Sequence, residues 1–351
     1  MIPLAISFPA WLKPEIIPGL PVRWYGLMYV FAFATAFLLY RRQIKERNFP
    51  MSDDNLSSMF FWVVLALLFG ARLFSTLVYE TSNIYRQQPW LIFWPFRNGK
   101  FTGLMGMSYH GGAIGGALGI IIYSKVKKWS FREIGDMFAA SIPLGYTFGR
   151  LGKFINGELY GRVTTGPLGM IFPQAATLSA NQDWVRKAAA ETGIPIIGAA
   201  VNLPRHPSQL YEALLEGILL WLIIWLLRNK KPFKGFLVGL YFMGYGIFRF
   251  FIEYFREPDA DLGYRIEFVK SKLPTAYAHP LWSFSTGQIL SFLMIVGGII
   301  WLIIASRMPD RKPVFIYTDE TKWKEGGKTT ADPAAKASER NKRRKLRKKL
   351  R

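Results

Sequence analysis

The sequence has no cysteine, few histidines and a shortage of acidic residues. The absence of cysteine from all 351 residues excludes disulfides, thiolate metal sites, a cysteine nucleophile and lipid attachment to a cysteine of its own. Its three histidines, His110, His206 and His279, are too scattered to define a metal site. Asp and Glu number 23 against 45 Lys and Arg, a formal net charge of +22. No cleavable signal peptide is expected from the pattern at Met1–Gly19. Met1–Gly19 contains Pro3, Pro9, Pro14 and Pro18 and no apolar core of adequate length, so residues 1–21 are expected to form a short amphipathic or interfacial element.

What the chain has in abundance is apolar surface. Hydrophobic residues make up 51% and aromatics 16%, and they fall into runs of about membrane length separated by basic loops. Seven spans are expected: Val22–Tyr40, Leu56–Tyr79, Gly111–Tyr123, Ile134–Phe148, Gln209–Leu227, Gly235–Phe255 and Phe284–Ala305. The third and fourth are short and interrupted, and a partly re-entrant third segment fits its glycines as well. The fold class is therefore an all-α polytopic membrane protein with about seven transmembrane helices. Its transmembrane domain is expected to cover 22–306, with a polar insertion at about 160–207 forming an extracytoplasmic subdomain that has a helix around Asp183–Thr192. A basic tail follows at 307–351.

Loop charges give the orientation. Arg41, Arg42, Lys45 and Arg47 follow the first span, Lys125, Lys127, Lys128 and Arg132 the third, and Arg228, Lys230, Lys231 and Lys234 the fifth. The tail after the seventh span holds sixteen Lys/Arg against six Asp/Glu. All four segments share one side if there are seven spans, which places them in the cytoplasm and the N-terminus outside. The tail beyond Tyr317 is expected to be disordered or a charged helix. Its end, NKRRKLRKKLR at Asn341–Arg351, suits anionic lipid headgroups better than nucleic acid.

The stretch GRLGKFINGELYGR, Gly149–Arg162, sits where an apolar run ends. Charges at the edge of a bilayer are costly unless they bind something or one another. Glycines let a backbone approach a ligand, and arginines fork onto phosphate oxygens. Tyr245, Arg249 and Glu253 recur every four residues and stack on one helical face, with Arg256 continuing the stripe. One reading of Arg249 and Glu253 is a self-neutralising pair. It leaves guanidinium donors free, and Arg150 lies at a matching depth, so a shared anionic ligand such as a lipid phosphate is expected. YHGGAIGGALG at Tyr109–Gly119 has GxxxG spacing at Gly112/Gly116 and Gly115/Gly119, which suits close helix packing. Packing does not explain His110, which can take a proton near neutral pH. Tyr25, Arg72, Gly287 and Gln288 are further polar or small residues near span ends, and HPSQLYE at His206–Glu212 reads as a helix entry.

These segments resemble the bacterial phosphatidylglycerol–prolipoprotein diacylglyceryl transferase family. The matching motifs are RWYGLMY (Arg23–Tyr29), YHGGAIGG (Tyr109–Gly116), GRLGKFINGELYGR (Gly149–Arg162), RHPSQLYEALLEG (Arg205–Gly217), GYGIFRFFIEYFREPDA (Gly244–Ala260) and TGQILS (Thr286–Ser291). The resemblance covers roughly Pro21–Ala305. It implies a multi-pass enzyme of the bacterial cytoplasmic (inner) membrane with its site open to the outer leaflet. The reaction implied moves the diacylglyceryl group of phosphatidylglycerol to the lipobox cysteine thiol of a prolipoprotein, giving a thioether and glycerol-1-phosphate, and the resemblance implies no metal or soluble cofactor. In that chemistry Arg150 and Arg249 stabilise charge on the leaving phosphate, Glu253 orients Arg249, and His110 is the candidate base for the thiol. Tyr25, Asn156, Glu158 and Tyr245 position headgroup, glycerol or backbone, while Gly161 keeps space near the phosphate. The family pattern has asparagine where this chain has Lys153, so the asparagine's role is not carried over.

Two other classes compete. A transporter also uses intramembrane arginines, but it predicts internal repeats and polar groups through the whole bilayer. No repeat relates the halves, and Phe284–Ala305 carries no charge. A non-catalytic lipid-binding scaffold would keep the arginines and lack transfer.

Overall fold

The computed structural model describes residues 5–17, 23–80, 83–97, 100–101, 106–257, 264–269, 273–309, 315–319 and 322–325. The expected basic stretch Asn341–Arg351 and residues 258–263 and 270–272 of the loop between the sixth and seventh expected spans lie outside them. The chain divides into two compact units, Met1–Tyr40 with Gly135–Asp310 and Arg41–Ile134 with Arg311–Arg351.

Nine helices organise the description: α1 Trp24–Arg47, α2 Asp53–Phe74, α3 Tyr109–Val126, α4 Phe131–Ala139, α5 Ile142–Ile155, α6 Asp183–Thr192, α7 Ser208–Leu227, α8 Phe236–Ile252 and α9 Thr286–Arg307. Three are long and apolar enough to cross a membrane: α2 with its extension to Tyr79, α7 and α9. Their outward faces are apolar. On α9, Phe292 and Leu293 are each 57% exposed, while Gln288 and Ser291 are buried. This inverted distribution, polar within and apolar without, is what a lipid-facing helix requires.

In the second unit, α2 and α3 pack backbone to backbone. A Cβ on Gly111 would stand 2.3 Å from the Gly70 carbonyl oxygen, and one on Gly115 would stand 2.2 Å from that of Ala66. The close ridge is thus Gly111–Gly115–Gly119. Gly112 and Gly116 meet Ala71 and Leu67 at ordinary distances. The third segment is a continuous helix, Tyr109–Val126. α2 begins at Ser52, whose side chain accepts from the Asn55 amide, with Asp53 and Asp54 in the first turn where acids suit the helix dipole. At its other end Arg72 is 3% exposed. Its guanidinium donates to the carbonyls of Leu91, Ile92 and Gly106 and to the Tyr85 hydroxyl, fastening the connection that leads to α3. Phe315–Asp319 and Lys322–Glu325 form an antiparallel strand pair, where the sequence suggests disorder or helix.

In the first unit, the apolar run Ile134–Phe148 is not one span element. It breaks at Ala140–Ser141 into α4 and α5. Asp136, which looks like an intramembrane charge, is a cap. Its carboxylate accepts from the amides of Gly235 (2.9 Å), Leu237 (2.9 Å) and Val238 (3.2 Å) and pairs with Lys231 at 2.8 Å. It therefore satisfies orphan donors at the start of α8, whose preceding residue Gly235 has φ +93. Asp136→Ala is expected to cost about 3–5 kcal/mol of stability, because it strands a buried cation and three amides. A melting scan of the detergent-solubilised protein checks it, and an unchanged midpoint contradicts the capping role.

α8 and α9 also meet through glycine. A Cβ on Gly246 would lie 2.8 Å from the Ser291 carbonyl oxygen, and one on Gly298 would lie 3.0 Å from that of Gly239. α7 is not uniform, since Ala213–Leu219 is π-helical. The widened turn carries Glu216 and Gly217, and Gly217 sits where a Cβ would meet the Thr147 hydroxyl of α5 at 2.1 Å.

The polar insertion between α5 and α7 has short strands and apolar clusters of its own. α6 spans the expected Asp183–Thr192 and ends at Gly193, φ +70. Val185, Ala188 and Ala189 of α6 pack with Val163, Val201 and Leu203. Ile6–Ser7 pairs in parallel with Met170–Ile171, so part of the N-terminal segment is a strand of this insertion.

Candidate active site

Three helices of the first unit bring charge together. Arg150 comes from α5, Arg249 from α8, and Glu212 and Glu216 from α7. Glu212 is fully buried and central. Arg150 Nη1 lies 2.7 Å from its Oε2, Arg249 Nη1 3.6 Å from the same oxygen, and Arg256 Nε 3.6 Å from Oε1. Arg249 Nη1 is also 3.9 Å from Glu216 Oε1, and its Nη2 is 3.3 Å from Glu253 Oε2. Arg150 and Arg249, which the sequence places at one depth, thus converge on one carboxylate.

Each member is held by its own helix. Tyr146, one turn before Arg150, accepts from Arg150 Nε at 2.6 Å and donates to Glu216. Its ring also carries the Arg150 guanidinium at 4.7 Å and meets Tyr245 edge-on at 5.9 Å. Glu253 accepts from the Ser285 hydroxyl at 3.1 Å, and Ser285 is the N-cap of α9 in a capping box with Gln288. Gly287 is small for a reason: its Cβ would stand 2.6 Å from Glu253 Oε1.

Three guanidiniums face three carboxylates, so the cluster is formally neutral. A buried ion cluster is weak support for stability, since desolvation offsets much of the attraction. Its hydrogen bonding is also unfinished. Neither Glu212 oxygen receives a well-aligned hydrogen bond, and Arg249 Nη1 donates to none among the described residues. A carboxylate paired by charge but not by geometry holds guanidiniums in position and leaves their N–H forks open to a better-shaped oxyanion.

At the end of α5 the polar residues form a second group. Lys153 pairs with Glu158 Oε1 at 2.8 Å and lies 4.3 Å from the Tyr25 ring centroid. Tyr25 and Tyr29 share a hydroxyl hydrogen bond of 2.7 Å. Asn156 caps α5 and approaches Glu158 at 3.3 Å. Gly157 and Leu159 both have positive φ, +66 and +57, which turns Glu158 back toward the helix end. Gln209 and Ser208 of α7 hold that turn through the carbonyls of Glu158 and Leu159.

Gly161 serves backbone packing. Its amide donates to the His206 carbonyl at 2.8 Å, and a Cβ there would stand 2.1 Å from the Phe255 carbonyl oxygen. The space expected beside a phosphate is filled by chain. Arg162 is likewise a fastener, donating to the carbonyls of Thr275 and Ala278. His206 lies against Phe255 and Tyr211, and burial, aided by Arg162, pushes it down to about 4, which keeps it neutral. His110 belongs to the second unit, where its Nδ1 is 2.6 Å from the Tyr79 hydroxyl.

The sequence reading missed Glu212, Glu216 and Tyr146. The signal was present: two acids four apart on an apolar helix are costly at membrane depth without partners. It was hidden because Glu212 also fits a helix entry.

A family model described as "Prolipoprotein diacylglyceryl transferase" matches residues 14–304. The chain is 52% identical over 342 residues to a phosphatidylglycerol–prolipoprotein diacylglyceryl transferase of Treponema denticola, covering 92% of this chain and 97% of that protein. It is 50% identical over 313 residues to the Treponema pallidum protein of that name, covering 84% and 94%. A Chlorobaculum tepidum protein of the same name is 40% identical over 314 residues, covering 88% and 95%.

Proposed function

The chain belongs to the prolipoprotein diacylglyceryl transferase family, and on that premise we propose how its residues carry out the reaction. The enzyme transfers the diacylglyceryl group of phosphatidylglycerol to a prolipoprotein, the first step of lipoprotein maturation. The lipobox cysteine sulfur attacks the glyceryl carbon, the carbon–oxygen bond to phosphate breaks, and its electron pair stays on the phosphate oxygen. The thiol proton passes to a base or to water. A thioether and glycerol-1-phosphate result. The chain contains no cysteine, and none is needed, because the reacting thiol arrives with the peptide.

Arg150 and Arg249 receive the phosphate and stabilise the charge that grows on it. The observation that carries this reading is their joint approach to Glu212 Oε2, at 2.7 and 3.6 Å. Glu212 holds the two guanidiniums together and gives them up to the lipid phosphate. Arg256 and Tyr146 position the cluster, and Glu253, held by Ser285, orients Arg249. Tyr25, Asn156, Glu158 and Tyr245 surround the headgroup and glycerol. His110 is the candidate proton acceptor.

The seven spans of this reading are α1, α2, α3, the broken α4–α5, α7, α8 and α9. The basic loops put the C-terminus in the cytoplasm and the N-terminus outside, in the bacterial cytoplasmic membrane. The test is the purified chain with phosphatidylglycerol and a lipobox peptide. A diacylglyceryl mass gain on the peptide that requires its cysteine is expected. No gain overturns the transferase in favour of a lipid-binding scaffold.

Lys153 stands where asparagine is usual in the family. Here it neutralises Glu158 rather than entering the arginine cluster. Lys153→Asn is accordingly expected to keep transfer within about 3-fold, since an exposed pair contributes about 1 kcal/mol or less. Complementation of a transferase-depleted strain checks it. Loss of growth would place Lys153 in the reaction itself.

A further inference from the structure

Beyond the arginine cluster, the first unit has a cavity of about 530 Å³ lined by Lys13, Glu15, Arg23, Asn156, Glu158 and Gln174. The backbone builds it. The Trp24 amide donates to the Pro14 carbonyl at 3.0 Å, and Glu15 bridges Arg23, so the N-terminal segment folds onto the start of α1 with Lys13 and Arg23 on one cavity. Neither cation pairs with a carboxylate among the described residues. On the facing side, Asn156 Oδ1 is buried without a hydrogen-bond partner. Glu158 engages Lys153 and Asn156 through Oε1 alone. Asn156 follows Arg150 on the same helix by about 9 Å along the axis.

This lining is mixed in a specific way. Unpaired cations suit phosphate oxygens, whereas an orphaned amide oxygen and a free carboxylate oxygen suit hydroxyl donors. Inorganic phosphate alone would leave the acceptors unused. A simple sugar or alcohol would leave the cations unused. The lining itself is formally neutral, Lys13 and Arg23 against Glu15 and Glu158, and Lys153 beside Glu158 supplies one further positive charge.

We infer that this cavity binds a phosphorylated polyol, the glycerol phosphate ester, and receives it one step out from the arginine cluster. The inference rests on the transferase reading, which identifies the ester. Two sources share this chemistry: the water-soluble product of transfer, and the headgroup of an intact phosphatidylglycerol. Lys13 and Arg23 hold the phosphate in either case, and Glu158 with Asn156 accepts from the glycerol hydroxyls.

The test is calorimetric titration of the full chain in detergent with glycerol-1-phosphate, and with inorganic phosphate in parallel. Saturable binding of glycerol phosphate, tighter than inorganic phosphate, is expected. The double variant Lys13→Gln/Arg23→Gln should weaken it by about 10-fold or more, the loss of at least one charge-assisted contact. Both side chains are exposed, and an unchanged melting midpoint verifies the fold. Arg23→Lys alone should retain most of the affinity. Displacement of bound glycerol phosphate by phosphatidylglycerol vesicles identifies the lipid headgroup as an occupant, and its persistence identifies the free product. The inference is overturned if the double variant binds like the parent, or if binding vanishes only in Arg150→Ala. Failure of the parent to lipidate the peptide would instead sink the transferase reading, whatever the titration shows.

Discussion

Arg249→Ala and Arg150→Ala are each expected to reduce kcat/KM for peptide lipidation by about 10³-fold or more, with expression and melting behaviour retained well enough to assay. The size follows from the chemistry. The leaving group gains charge as the carbon–oxygen bond breaks, and a guanidinium in a site with little water stabilises that charge far more than water does. Arg→Lys is not a conservative control at these positions. Arg150 holds Tyr146 through Nε and Glu212 through Nη1 at once, and an ammonium cannot reproduce that fork. Lysine variants should therefore remain at least about 10²-fold impaired, reading the loss as about one transition-state donor. The check is initial-rate transfer to a lipobox peptide. Full activity in both alanine variants would remove the phosphate clamp.

The second large effect belongs to Glu212. Glu212→Ala deletes the hub shared by Arg150, Arg249 and Arg256. It leaves buried cations without their shared counter-charge, and removing one partner of such a cluster costs about 3–5 kcal/mol. The protein is expected to express poorly. Glu212→Gln separates two roles. If the carboxylate only holds the guanidiniums, the amide loses stability and lowers the apparent KM for phosphatidylglycerol, because the phosphate no longer displaces a charge. If Glu212 were instead needed during bond breaking, kcat would fall with KM unchanged. A drop in kcat alone would thus overturn its place as a resting counter-ion.

Much of this site was legible in the chain. Arg249 and Glu253 are readable as one face because helical spacing fixes which residues stack. Arg150 is readable because charge at the end of an apolar run demands a partner. Other features were not. Apolar composition runs through Ala140–Ser141 without a mark, so the break between α4 and α5 cannot be seen, and Asp136 then looks like a buried charge in a span rather than a cap. GxxxG spacing fits both Gly112/Gly116 and Gly111/Gly115/Gly119, and only the direction of approach of α2 chooses the latter. The π-helical turn Ala213–Leu219 changes which residues share a face with Glu212, and no sequence period announces it. Gly161 illustrates a further limit: a residue without a side chain signals closeness, but the sequence does not say to what.

The balance of three guanidiniums and three carboxylates also governs who can enter. A centre with no surplus of either sign exerts little pull on a dissolved sulfate or nucleotide. Such a visitor would have to shed its water and unseat an acid without help. A phospholipid comes already tethered, diffusing sideways with its chains in the bilayer, so its head reaches the centre at high effective concentration. On the proposed reading, this neutrality favours anions that arrive through the lipid over those that arrive through water.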